Sequence, residues 1–249
     1  MSENVIEIRG LRKTFRDFWM RPVAEALSGV DLTVAKGDVF GLLGPNGSGK
    51  STTIKLVLGL ISPSGGTVRV FGLPPRAKAA RARLGYLPEL SWLHPFMTAE
   101  ETVMYYAGLS GMSGSAARRR TRELLEQVGV ASAAKRAVGG FSKGMARRVA
   151  FAAALVASPE LLILDEPTSG LDPIGTREVK ALISRLGSEG MTILVTSHQL
   201  FDMQDVCSRV AVLSHGRVAG SGAVADIVAA APDKRHALED YFSAAVGVG

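Results

Sequence analysis

The sequence predicts an α/β fold around a mostly parallel sheet, and three observations lead there. Short apolar runs alternate with helical patterns along most of the chain, and a glycine-rich loop joins one such run to one such helix. The 249 residues are 47% hydrophobic and 21% charged, enough apolar mass for a core without covalent staples, which excludes disorder. The runs that read as strands are Val5 to Arg9, Val30 to Val34, Asp38 to Leu43, Thr67 to Phe71, Leu161 to Leu164, Met191 to Thr196 and Arg209 to Leu213. Apolar or β-branched residues fill them and turn residues bound them. Helical spacing covers Lys50 to Leu60, Thr98 to Leu109, Ser115 to Val128, Ser142 to Ala157, Pro173 to Leu186 and Gln199 to Val206, and the tail beyond Gly222 reads as one or two short helices.

From about Glu89 to Ser158 the alternation stops. Helical stretches follow one another with no convincing strand between them, so a helical lobe is inserted there. Thr98-Ala99-Glu100-Glu101 has capping-box spacing and marks the start of one of its helices. Pro63-Ser64-Gly65-Gly66 and Pro74-Pro75 are turn signals.

Lys and Arg number 29 against 23 Asp and Glu, for a net charge of +6. That excess is modest for a nucleic-acid binder. Much of it sits in Arg76 to Arg83 and Arg118 to Arg122, which read as exposed helix faces. A single cysteine, Cys207, cannot form an internal disulfide, and the opening MSENVIEIRG has no secretory pattern, so a cytoplasmic, reducing location is expected. The longest wholly apolar run, Val149 to Ala157, is far short of the roughly 20 residues that span a bilayer. A membrane role is therefore expected to come through a partner.

Directly after the run ending at Leu43 comes Gly44-Pro45-Asn46-Gly47-Ser48-Gly49-Lys50-Ser51-Thr52, which satisfies G-x-x-x-x-G-K-[ST]. Glycines let backbone N–H groups converge on an anion, and the following helix adds the positive end of its dipole. Lys50 is expected to reach the β- and γ-phosphates and the Ser51 hydroxyl to ligate magnesium. A dinucleotide fingerprint fails on the same residues, because Thr52 stands where the third glycine belongs. Downstream, Leu161 to Leu164 ends in Asp165-Glu166. Adjacent carboxylates at a strand end point differently, so Asp165 is assigned to the magnesium shell and Glu166 to the attacking water as general base. Another apolar run delivers Thr196-Ser197-His198 to the same sheet edge, where His198 is expected to touch the γ-phosphate.

With these motifs in order, the chain from about Val5 to Phe242 resembles the ATP-binding subunits of ATP-binding cassette (ABC) transporters. The resemblance adds a signature-like Phe141-Ser142-Lys143-Gly144-Met145 and a D-loop, Ser169-Gly170-Leu171-Asp172. It implies a P-loop NTPase core with an N-terminal antiparallel β portion and an inserted helical subdomain. The expected division is a core lobe over 1–88 and 159–220, a helical subdomain over 89–158 and a helical tail over 221–249. It implies ATP and Mg²⁺ at Gly44 to Thr52, with Ser142 and Gly144 reaching the nucleotide of a second copy. Phe15 stands about where an adenine-stacking aromatic belongs, with Phe18 and Trp19 as competitors, and the stretch from Phe15 to Ala26 is longer than the family's usual spacing. Two departures accompany the match. Lys143 and Met145 replace the usual Gly and Gln of the signature, and Glu89 stands where a Q-loop glutamine is usual, an acidic residue able to ligate the metal. Both look like the exporter branch that moves drugs, lipids, polysaccharides or sodium ions. A homodimer, separately encoded membrane permease subunits and a location at the inner face of the cell membrane follow from the resemblance, with no nucleic acid expected.

Two other readings share the phosphate loop. A GTPase needs Asn-Lys-x-Asp, and neither Asn4 nor Asn46, the only asparagines, begins one. A cassette ATPase of DNA repair or chromosome maintenance would act without a membrane partner, and such proteins usually carry coiled coils or zinc modules that do not fit within this chain.

Overall fold

The computed structural model describes residues 3–247. In chain order the elements are β1 (Asn4–Arg16), β2 (Pro22–Ala35), β3 (Val39–Leu43), α1 (Lys50–Val57), β4 (Gly65–Val70), α2 (Lys78–Arg81), β5 (Leu84–Leu87), α3 (Ala99–Leu109), α4 (Gly114–Gln127) and α5 (Lys143–Leu155). They continue with β6 (Leu161–Asp165), α6 (Pro173–Ser188), β7 (Thr192–Ser197), α7 (Leu200–Gln204), β8 (Arg209–Ser214), β9 (Arg217–Ala223), α8 (Val224–Ala230) and α9 (Ala237–Val246). They fall into two compact units, one formed by the chain up to Arg81 together with the chain from Leu186, the other by Ala82–Arg185.

In the first unit β1 pairs antiparallel with both β2 and β4. This is the antiparallel portion that the resemblance implies. Its other strands run in the order β7-β3-β8-β9, with β3 parallel to β7 and β8, and β9 antiparallel to β8. Every residue of β3 and β7 is buried, as expected of parallel strands covered on both faces. Gly41 sits inside β3 because a Cβ there would come within 2.9 Å of Cys207 Sγ and 3.0 Å of Val210. Cys207 itself is buried, and desolvation pushes its thiol up to about 12, so it packs as an apolar group and has no thiolate near neutral pH.

Beyond Arg12 the β1–β2 hairpin leaves β4 behind, since β4 pairs with β1 only as far as Arg12↔Gly65 while β2 continues to Arg16↔Pro22. The tip is a hydrogen-bonded turn: the Asp17 carboxylate accepts from the Arg21 amide at 2.9 Å and its guanidinium at 3.1 Å. Phe18 and Trp19, stacked edge to face, project from it 90% and 71% exposed.

In the second unit β5 pairs parallel with β6, Leu87 opposite Leu164. The helices α3, α4 and α5 follow the predicted lobe, and α3 begins with the predicted box: Thr98 Oγ1 accepts from the Glu101 amide at 3.1 Å while the Glu101 carboxylate accepts from the Thr98 amide at 2.8 Å. Arg120 ties α4 to the end of α5 by donating to the Leu155 carbonyl at 2.9 Å.

Two readings are corrected. The strands β5 and β9 carry no alternation strong enough to mark them: Leu-Gly-Tyr-Leu is four residues long, and Arg-Val-Ala-Gly-Ser-Gly-Ala is rich in small residues. The basic stretch Arg76 to Arg83 is helical only over Lys78–Arg81, where Ala80 turns into the core, because the turn after Pro74-Pro75 and the start of β5 leave room for a single turn of helix. No helix among the described residues is long and apolar enough to cross a membrane.

Candidate functional site

In the first unit the loop from Gly44 to Gly49 leaves β3 and enters α1. Gly44, Gly47 and Gly49 all have positive φ, of 156°, 81° and 112°. A Cβ on Gly44 would strike the Leu213 carbonyl, and one on Gly49 would lie 2.6 Å from Leu27 and 2.8 Å from the Ala26 carbonyl. The loop is thus pressed from behind by β2 and β8, and the Gly216 amide donates to the Ser48 carbonyl at 3.0 Å. Lys50 is buried, and its ammonium donates to the carbonyls of Gly44 at 2.6 Å and Pro45 at 3.2 Å, closing the loop on itself.

Two features fit this loop to phosphate. No side chain caps α1 and no acidic residue occupies its first turn, so the donors that begin every helix are left for an anion. The buried Ser48 hydroxyl has no hydrogen-bond partner among the described residues. Ser51, exposed in the first turn of α1, and half-buried Thr52 follow. The parallel register Leu43↔Ser197 brings the end of β7 beside the start of the loop, so Gly44 and His198 leave neighbouring strand ends. His198 is exposed, in a turn where Ser197 Oγ accepts from the Gln199 amide at 2.9 Å. In the same unit Phe15 is 39% exposed, beneath the Lys13 ammonium at 5.1 Å from its ring centre, with its pair partner Ala24 on β2. Phe18 and Trp19 lie further out, at the tip of the hairpin.

In the second unit Asp165 ends β6 and Glu166 follows it, and both are buried. Glu166 has φ 47°, a left-handed conformation that costs a non-glycine residue of order 1 kcal/mol. The carbonyls around it are gathered by Arg147 of α5: Nη2 donates to Asp165 at 3.0 Å and Glu166 at 2.9 Å, and Nε to Pro167 at 3.0 Å. On its other edge Nη1 donates to the carbonyls of Pro88 at 2.6 Å and Glu89 at 2.8 Å and to Ser91 Oγ at 3.2 Å. The Glu89 side chain is exposed while its carbonyl is held in this way. Burial brings Arg147 down to about 10, opposed chiefly by Asp165 and then by Glu89, so the guanidinium keeps its charge at neutral pH. Tyr86 is pushed up to about 12, mainly by burial and then by Asp165, and stays a neutral phenol.

Ser142 is the N-cap of α5, its Oγ accepting from the Met145 amide at 3.2 Å. A Cβ on Gly144 would sit 3.5 Å from the Gly175 Cα, so the starts of α5 and α6 approach closely. Asp172 caps α6 by accepting from the Gly175 amide at 2.6 Å. Lys143 extends its ammonium over Gly170, where any side chain would collide with it. The signature-like stretch and the loop from Ser169 to Asp172 are therefore packed together. Sequence reasoning passed over Arg147 and Gly216. Neither stands in a motif, and only contacts distant in the chain distinguish them from an ordinary helix arginine and a hairpin glycine.

Comparison with known proteins finds the family model described as ABC transporter matching residues 27–169. An uncharacterized ABC transporter ATP-binding protein of Nostoc sp. is 42% identical over 230 residues, which are 91% of this chain and 69% of that protein. The Nod factor export ATP-binding protein I of Paraburkholderia xenovorans is 37% identical over 231 residues, 92% of this chain and 74% of that one. Among solved structures, a dimeric ATP-binding cassette in a post-hydrolysis state with ADP and Pi bound superposes with a TM-score of 0.78 at 26% identity, covering 88% of this chain and 98% of that one.

Proposed function

The chain belongs to the ABC transporter family as an ATP-binding, ATP-hydrolysing subunit, and from that premise we propose that it drives export through a separately encoded membrane permease by closing as a homodimer over ATP and reopening after hydrolysis. The export direction is supported by the relative named for Nod factor export. The dimer follows the solved cassette that carries ADP and Pi. The subunit then works in the cytoplasm, at the inner face of the cell membrane.

In this reading the amides from Gly44 to Thr52 and the Lys50 ammonium bind the phosphates and Phe15 stacks on adenine. Ser142 and Gly144 of the second copy present the start of α5 to the same nucleotide, a capped helix end whose dipole favours an anion. Glu166 takes a proton from the attacking water, and His198 contacts the γ-phosphate. Ser51, Asp165 and Glu89 are the residues that would hold magnesium, which when bound neutralises charge building on the phosphates. The single observation that carries the phosphate assignment is the open start of α1 beside the unpartnered Ser48 hydroxyl.

For the permease, the second unit offers a groove of mixed polar and apolar lining that includes Ser91, Leu93, Tyr106, Leu109 and Ser110, with the large apolar side chains of Trp92 and Leu109 exposed at it, Trp92 to 88%. Large apolar side chains exposed together and rimmed by polar groups mark a partner site, and we assign this one to a cytoplasmic segment of the permease. The test is affinity purification of the full chain from detergent-solubilised membranes. A multi-span membrane protein should co-purify with it and be lost with Trp92→Asp, while ATP binding persists. ATPase activity stimulated by DNA, with no membrane protein retained, refutes transport and favours the repair ATPase.

A further inference from the structure

We propose that Arg147 is a positioning residue for hydrolysis, holding the backbone at Glu166 in the one conformation that aims its carboxylate at the attacking water. The inference rests on Glu166 as the general base and goes beyond it by naming what fixes that base. Three consecutive carbonyls, those of Asp165, Glu166 and Pro167, converge on one guanidinium. In an extended chain successive carbonyls point to opposite sides. They converge here because Glu166 turns left-handed, at φ 47°. Such a turn persists in a non-glycine residue only where its surroundings over-determine it. Arg147 does so, together with the Ser169 amide, which donates to the Glu166 carbonyl at 3.1 Å.

The group has to be an arginine. A guanidinium presents five N–H bonds in a planar fork, and here they reach five carbonyls and the Ser91 hydroxyl on two separate chain segments. A lysine ammonium keeps the charge but cannot span both edges. Methionine keeps the length and the apolar stem and donates nothing. The other edge of the fork holds Pro88 and Glu89, so the loop after β5 and the end of β6 are fixed by the same side chain. That side chain belongs to α5, the helix capped by Ser142.

The experiment compares Arg147→Lys and Arg147→Met in the full chain by thermal melting, ATP affinity and single-turnover hydrolysis, each alone and combined with Glu166→Gln. A carboxylate displaced by about 1 Å loses on the order of 10²-fold in rate. We therefore expect folded Arg147→Lys to keep ATP affinity within about threefold and to lose at least about tenfold in kcat, with the loss absent once Glu166 is already Gln, because two residues acting as one unit do not add. A role confined to stability is excluded by that non-additivity, and Arg147→Lys still reads out if Arg147→Met fails to fold. Parent-like kcat in Arg147→Lys, a loss that appears in ATP affinity, or one that multiplies onto Glu166→Gln each overturns the proposal. Failure of the general-base reading shows separately, as normal turnover in Glu166→Gln alone.

Discussion

The ends of β3 and β6 pose the same structural problem and meet it differently. Both strands are five fully buried residues that release the chain toward segments proposed to handle phosphate. After β3 the loop is closed by its own neighbours, with Lys50 bonded to the carbonyls of Gly44 and Pro45 and glycines at the left-handed positions. After β6 the left-handed residue is a glutamate, and the chain is held by Arg147 from another helix. A contiguous loop concentrates its requirements in a few adjacent residues, whereas a loop held from outside can carry a functional side chain at the strained position itself.

The largest effects should separate the two ends by the quantity they alter. Glu166→Gln is expected to lower hydrolysis by roughly 10²–10⁴-fold, the scale of a general base, while ATP binding is retained. Phosphate-release kinetics beside a fluorescent-nucleotide titration measure both at once. Lys50→Ala should instead lower ATP affinity, by about 10²-fold or more, as expected when one partner of a charged phosphate contact is removed. Equal ATP affinity in Lys50→Ala and the parent would break the contrast.

The glycines sharpen it. Gly49→Ala puts a methyl group 2.6 Å from Leu27 and 2.8 Å from a backbone carbonyl, in addition to the strain of φ 112°. Gly47→Ala meets nothing within 4 Å and carries only the left-handed penalty, roughly 1–2 kcal/mol. ATP affinity and melting temperature should therefore fall much further for Gly49→Ala than for Gly47→Ala. Equal losses would mean that the loop is not pressed from behind by β2.

What was legible in the sequence follows the same division. The place of Gly44 to Thr52 between β3 and α1 could be read because its glycines and Lys50 stand in consecutive residues, and the place of Asp165 and Glu166 was legible because a buried apolar run ends there. The N-cap at Ser142 and the box at Thr98 were legible because capping acts over three residues. Arg147 was not, since its partners lie in other segments and its neighbours Arg148 and Met145 give no periodic sign of a buried charge. The strand β5 was hidden by its length: Gly85 has no side chain because a Cβ would fall on the Ala154 carbonyl of α5, a contact no local pattern announces.

The smallest effect tests whether the open start of α1 is a functional choice or an indifferent feature of helix starts. α3 closes its own start, with Thr98 and Glu101 each satisfying the other's amide. Removing that cap by Thr98→Ala should cost about 1 kcal/mol of stability without altering ATP affinity. The hydrogen bonds from the Thr98 amide and hydroxyl hold the Glu101 carboxyl below its usual range. A carboxyl whose folded value is depressed contributes stability above its unfolded value and loses it as pH falls through the folded one. The gap in melting temperature between parent and Thr98→Ala should therefore be full at neutral pH and shrink as the medium is acidified through the range where Glu101 protonates. At α1 the addition of ATP should raise the melting temperature of the parent and, at the same ATP concentration, move Lys50→Ala far less, because in the proposed reading the helix donors there are satisfied by ligand. A nucleotide-dependent gap at α3, or none at α1, would remove the distinction between a closed helix start and an open one.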